Sequence, residues 1–87
     1  MKARIKIVDV FTITGRGNVI VSTILEGSIS KGDMIIIGDK TRVIQGVEMF
    51  SGSTLITDVG LLIGNLDTKE SLLKFKDTEV EIIPFNI

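Results

Sequence analysis

Residues 8–21 read VDVFTITGRGNVIV, and this stretch decides the fold. Two runs rich in Val, Ile and Thr, which favour β-strands, flank the glycine pair Gly15 and Gly17. Because glycine adopts positive φ angles at low cost, residues 14–17 predict a turn between two strands. A dinucleotide-binding loop would need a third glycine and a following helix, whereas Asn18 and the residues after it continue as a strand. The stretch therefore predicts a structural hairpin or barrel corner.

Similar strand patterns continue on both sides of this turn. Residues 2–8 alternate basic and apolar side chains, and the phase slips at Ile7 and Val8, which predicts a β-bulge or a strand buried on both faces. Further apolar, β-branched runs cover residues 18–25, 34–37, 41–50, 58–64 and 78–85, with turns or loops between them. The one exception is Asp67 and its neighbours, where a capping box predicts a single helical turn. We expect one all-β domain over residues 1–87, a small, roughly six-stranded, closed antiparallel β-barrel.

The composition excludes several classes of function. The 87 residues include no His and no Cys, which removes disulfides, thiol nucleophiles, Ser-His catalysis and ordinary zinc sites. We therefore predict a protein that is not an enzyme and has no catalytic residue, metal or cofactor. The net charge of -1 gives no long-range attraction for duplex nucleic acid, so DNA is not an expected partner. The apolar runs are too short for a membrane helix or signal peptide, which predicts no membrane partner and a cytoplasmic protein.

Four blocks of the chain resemble a known family when taken in order. They are VDVFTITGRG at residues 8–17, EGSISKGD at 26–33, GVEMF at 46–50 and DVGLL at 58–62. Together they are similar to domain 2, the β-barrel, of elongation factor Tu-like translation GTPases, over about residues 7–64. The chain has no counterpart of the GTPase domain. It also departs from the family at Ser22, Thr23 and Ile24, where members usually carry Thr-Gly-Arg.

The resemblance implies a binding site as well as a fold. In the family, this barrel helps to hold the aminoacylated 3′ end of transfer RNA and touches the small ribosomal subunit. The positions that match its pocket for the terminal adenosine are Ile13, Val19, Glu48 and Leu62. Such a pocket places a base between apolar side chains while a carboxylate accepts hydrogen bonds. The turn residues Gly15, Arg16 and Gly17 complete the candidate RNA-binding or ligand-binding set.

The sequence leaves more than one function open. The first is a non-enzymatic binding module that contacts RNA, either the 3′ end of transfer RNA or ribosomal RNA. The alternative is a protein–protein interaction module, or a mimic of a translation factor, that binds no RNA. The near-neutral charge gives RNA and protein partners equal weight. The apolar runs at residues 61–63 and 82–85 add a homo-oligomer as a further alternative, and Glu48 also fits an ordinary solvent-facing strand residue.

Overall fold

The computed structural model describes residues 3–49 and 58–85, which form one antiparallel sheet and one short helix. The order of strands in the sheet is β4-β3-β7-β1-β2-β6-β5. The all-β prediction is therefore confirmed. The elements are β1 (Ala3–Ile13), β2 (Gly17–Glu26), β3 (Met34–Ile37), β4 (Lys40–Val43), β5 (Gly46–Met49), β6 (Asp58–Gly64), α1 (Lys69–Leu73) and β7 (Glu79–Ile83).

The hairpin of β1 and β2 is the longest pair in the sheet. Its turn is closed by the Arg16 N–H, which donates to the Ile13 carbonyl at 3.0 Å. The register shifts between Ile7 and Asp9, so the predicted bulge is confirmed, and it shifts again between Arg4 and Ile5. Each shift adds twist to the pair, which helps a long hairpin to curve.

The predicted barrel of roughly six strands is not closed. The described residues form seven strands, and the sheet is an open half-barrel whose edge strands β4 and β5 form no ladder with each other. Residues 41–50, predicted as one strand, bend at Ile44 and Gln45. The Ile44 N–H donates to the Asp33 carbonyl on the β3 side, whereas the Gln45 N–H donates to Leu62 of β6. One bent segment thus supplies both edges of the sheet, and its two halves bond to different neighbouring strands. Phe50 and the loop predicted after it lie outside the described residues.

The core lies on one face of the curved sheet. Val10, Ile20 and Leu61 form a cross-strand row of register partners, and all three are almost completely buried. Side chains directly opposite each other in an antiparallel ladder share a face, so this row identifies the core face of β1, β2 and β6. The buried core comprises Ala3, Ile5, Ile7, Val10, Ile20, Ile35, Ile37, Ile44, Val59, Leu61, Ile63, Leu72 and Ile82.

Helix α1 buries Leu72 in this core. The predicted helical turn is confirmed, but the cap is Thr68, whose side chain accepts a hydrogen bond from the Ser71 N–H at 3.1 Å. Asp67 is instead engaged by Arg42. In the described part of the chain, no helix has the length and apolar character that crossing a membrane requires.

Candidate binding site on the outer face of the sheet

Predicted site residues from four strands, β1, β2, β5 and β6, meet on the face opposite the core. The register places Phe11 beside Val19, and Val19 beside Leu62. Leu62 in turn lies opposite Gly46 of β5. Since side chains alternate between faces along a strand, this row points away from the row of Val10, Ile20 and Leu61. We call this side of β1, β2, β6 and β5 the outer face.

Glu48 and Ile13 lie on the same outer face. Glu48 pairs with Gly60, two residues from Leu62 along β6, and Ile13 lies two residues from Phe11 along β1. Gly46 and Gly60 carry no side chain, so the backbone of β5 and β6 borders Leu62 there. The structure therefore gathers Ile13, Val19, Glu48 and Leu62 on one face of the sheet.

The floor and the rim of this surface differ in exposure. Val19 and Leu62 are buried, at only 5% and 9% exposed, although they do not belong to the main cluster of packed core side chains. Arg16 and Glu48 have exposed side chains and form an ion pair at 3.6 Å. An exposed pair of this kind contributes only about 0–1 kcal/mol, so a ligand can displace it at little cost. The surface thus combines an apolar floor with one carboxylate and one guanidinium.

The two glycines of the turn have different surroundings. Gly15 has a φ of +83°, and a Cβ there would meet nothing within 4 Å. Gly17 has a φ of +118°, and a Cβ would lie 2.4 Å from the carbonyl carbon of Gly64. Gly17 is therefore required for the close approach of β2 to the end of β6. Gly15 is required only for the turn itself.

A chain of polar contacts fixes the base of this turn. The Thr12 hydroxyl donates to the Asn18 side-chain oxygen at 2.7 Å, and the Asn18 amide donates to the Asp67 carbonyl at 2.7 Å. Arg42 donates twice to the Asp67 carboxylate, from Nε at 2.7 Å and Nη2 at 2.9 Å. The chain of contacts joins the hairpin that carries the turn to β4 at the far edge of the sheet.

Hydrogen bonding within this network also shifts the pKa values of Asp67 and Arg42. The two hydrogen bonds from Arg42 hold the pKa of Asp67 below its ordinary value, and the positive charges of Arg42 and Lys40 act in the same direction. Partial burial of the carboxylate opposes them. The same hydrogen bonds raise the pKa of Arg42. Both groups are therefore charged at neutral pH and serve to hold the fold.

Sequence reasoning missed several members of the outer face. Phe11 and Val21 share it with Val19, and period-two alternation from Val19 would have found Val21. Asn18, which is only 3% exposed, was not assigned a role. No sequence signal indicated that Asn18 has a structural role, because its hydrogen-bond partner Asp67 lies far along the chain.

The outer face offers apolar contact and hydrogen bonding. Within residues 3–49 and 58–85 there is no group of three or more acidic residues placed to hold a metal ion. Two surface cavities, of about 590 and 130 Å³, are lined by other residues. A ligand at the outer face would lie on Val19 and Leu62 and meet Glu48 at the rim.

No model of a known protein family matches the sequence, and no solved structure shows significant similarity to it.

Proposed function

We propose that the chain is a non-enzymatic binding module of the translation-factor barrel type that holds the 3′ end of an RNA on its outer face. One observation carries the proposal: Val19 and Leu62 are register partners on the face opposite the main core cluster, with Glu48 beside them. A base can lie against the apolar floor while the Glu48 carboxylate accepts bonds from base or sugar groups. Arg16 at the turn supplies a contact for phosphate.

The net charge limits the kind of RNA that this module would recognise. A chain with a formal charge of -1 has little general attraction for a phosphate backbone. Recognition would therefore depend on one terminal nucleotide and not on the length of the RNA. We accordingly expect only a weak dependence of affinity on salt.

Fluorescence anisotropy with a labelled single-stranded oligonucleotide that ends in CCA tests the proposal. Glu48→Gln keeps the size of the side chain but removes its charge, and we expect at least a tenfold loss of affinity. That loss corresponds to about 1.4 kcal/mol, within the range for a hydrogen bond to a charged group. Glu70→Gln, an exposed change in α1, is the matched control and should leave affinity unchanged.

Two results would reject this function. One is the absence of any anisotropy change with the CCA-ended oligonucleotide. The other is equal affinity of the wild type and Glu48→Gln while both remain folded by circular dichroism. An oligonucleotide whose 3′ end is blocked by phosphate separates recognition of the end from general RNA binding. It should bind less tightly than the free end.

A different surface favours a protein partner as the second candidate function. Val43 of β4 pairs with Met34 of β3, which pairs with Ile83 of β7, so the three form one apolar row. The row lies on the solvent side, where Val43 is 54% exposed, and Phe85 just beyond it is 61% exposed. Exposed apolar rows at a sheet edge are typical of protein interfaces.

A second copy of the chain is the first partner to test for this surface. Sedimentation velocity over a range of concentrations would then show association in the wild type and not in Val43→Lys. A wild type that remains monomeric throughout would reject self-association through this row.

A further inference from the structure

A surface groove of about 590 Å³ lies between β3 and β7, away from the outer face. It exists because the two strands diverge. Their register ends at Ile35 opposite Ile82, whereas β7 remains paired with β1 as far as Glu79. The opening falls within the size range of sites that bind small ligands or peptide side chains, roughly 300–1,000 Å³.

The groove has an apolar lining. Ile36 of β3, Val80 of β7 and Phe75 after α1 line it, and all three side chains are partly buried. Phe75 lies against Gly38 in the turn between β3 and β4, where a Cβ would come within 3.1 Å of the ring. The aromatic ring is therefore held in place by the turn, and this part of the groove is preformed.

Acidic side chains border the groove along β7. Glu79 and Glu81 are two residues apart on one strand, so they share a face, and both line the groove. The third charged residue of the lining is Arg4 of β1. The lining therefore contains two carboxylates and one guanidinium.

Arg4 does not fully neutralise Glu79. Its Nε lies 3.4 Å from Glu79 and 3.7 Å from Glu26, so it is shared between two exposed carboxylates. The buried contact between Arg42 and Asp67 is much shorter, at 2.7 Å. Long, exposed ion pairs are weak and readily exchanged for another cation. A cation that entered the groove would therefore find Glu79 accessible.

We propose that the groove between β3 and β7 binds an extended peptide segment that carries a lysine or arginine side chain. The aliphatic stem of such a side chain covers Ile36. The charged end meets Glu79 and can also lie against the face of Phe75. The groove is bordered by two strands of the sheet, a setting in which extended segments are commonly recognised. This site is independent of the RNA site proposed for the outer face.

A short labelled peptide that alternates lysine and threonine is the probe. We expect it to bind the wild type in fluorescence anisotropy and to lose about tenfold in affinity to the double variant Glu79→Gln, Glu81→Gln. Each exposed ion pair with the peptide contributes a few-fold in affinity, and the loss of affinity in the double variant should diminish at high salt. Glu48→Gln on the outer face is the control that should leave peptide affinity unchanged. Nuclear magnetic resonance should place the largest amide shifts in β7 and β3.

Several results would overturn the proposal. A peptide with glutamate in place of lysine that binds equally well would remove charge complementarity. Unchanged affinity in the folded double variant, or amide shifts centred on β2 and β6, would place the peptide elsewhere. Equal binding of spermidine, confirmed by shifts at the same amides, would show that the groove takes any cation and does not recognise a peptide. Because the double variant alters exposed residues only, we expect it to fold normally.

Discussion

Replacing Gly17 by alanine should destabilise the protein far more than the same change at Gly15. Both glycines have positive φ, which costs an alanine about 1–2 kcal/mol. At Gly17 the new Cβ would also lie 2.4–2.7 Å from the carbonyl carbon, Cα and oxygen of Gly64. These atoms belong to the backbone of a neighbouring strand, so relief requires the sheet to shift, at about 1–3 kcal/mol.

The expected magnitudes can be separated by comparing the two variants. Alanine lowers the conformational entropy of the unfolded chain, which stabilises the folded state by about 0.4–1 kcal/mol in each variant. We therefore expect a loss of about 3 kcal/mol for Gly17→Ala and under about 1 kcal/mol for Gly15→Ala. The difference between them, about 2 kcal/mol, isolates the contact with Gly64. In melting temperature the Gly17 loss corresponds to roughly 12–24 °C for a domain of this size.

Urea unfolding followed by far-ultraviolet circular dichroism is the suitable assay, because the sequence contains neither Trp nor Tyr for fluorescence. Equal losses for Gly15→Ala and Gly17→Ala would refute the contact. If Gly17→Ala is unfolded in buffer while Gly15→Ala folds, the contact costs more than we calculate, and the ordering stands.

Three further predictions concern other parts of the fold. Because the pKa of Asp67 is lower in the folded protein than in the unfolded chain, its contribution to stability is present above the unfolded value of about 3.9. That contribution should disappear as pH falls through the folded pKa, and acid titration of Asp67→Asn should show a shallower loss than the wild type. Ser22 is completely buried, and its hydroxyl donates a long hydrogen bond of 3.5 Å to the Ile20 carbonyl. Ser22→Ala should therefore change the free energy of unfolding by less than about 1 kcal/mol. A larger loss in urea unfolding would show that this hydrogen bond stabilises the fold. Asp33 accepts bonds from the N–H groups of Ser30 and Phe85, so Asp33→Ala should cost about 2–4 kcal/mol in the same assay, and a neutral result would contradict that role.

Local sequence patterns predicted the strands well and the connectivity less well. Alternation located β1 and its bulge, and the glycine pair located the turn. The break within residues 41–50 carries no proline or turn signal at Ile44 and Gln45. It arises because Ile44 is completely buried and bonds to one side of the sheet while the next residue bonds to the other. Such a tertiary cause leaves no local trace.

The candidate site was predicted by resemblance and not by pattern. Alternation places Val19 and Val21 on one face but does not say whether that face is the core. Only the register shows that Leu62 is opposite Val19 and that Glu48 lies nearby. The basic side chains that alternate along β1 are not all isolated cations. Arg4, for example, lies between Glu26 and Glu79. Those carboxylates come from β2 and β7, and the position of β7 beside β1 cannot be predicted from the sequence alone.

The position of β7 in the sheet has a consequence for how the chain folds. β7 lies between β3 and β1, and it joins the β3–β4 hairpin to the four strands β1, β2, β6 and β5. During synthesis those two groups are made before the strand that connects them, so the sheet cannot be continuous until β7 inserts. Insertion requires pairing with β1 from the opposite part of the chain, and such distant contacts form slowly. We expect one late, cooperative step, in which the amides of β1 and β7 gain protection from hydrogen exchange together.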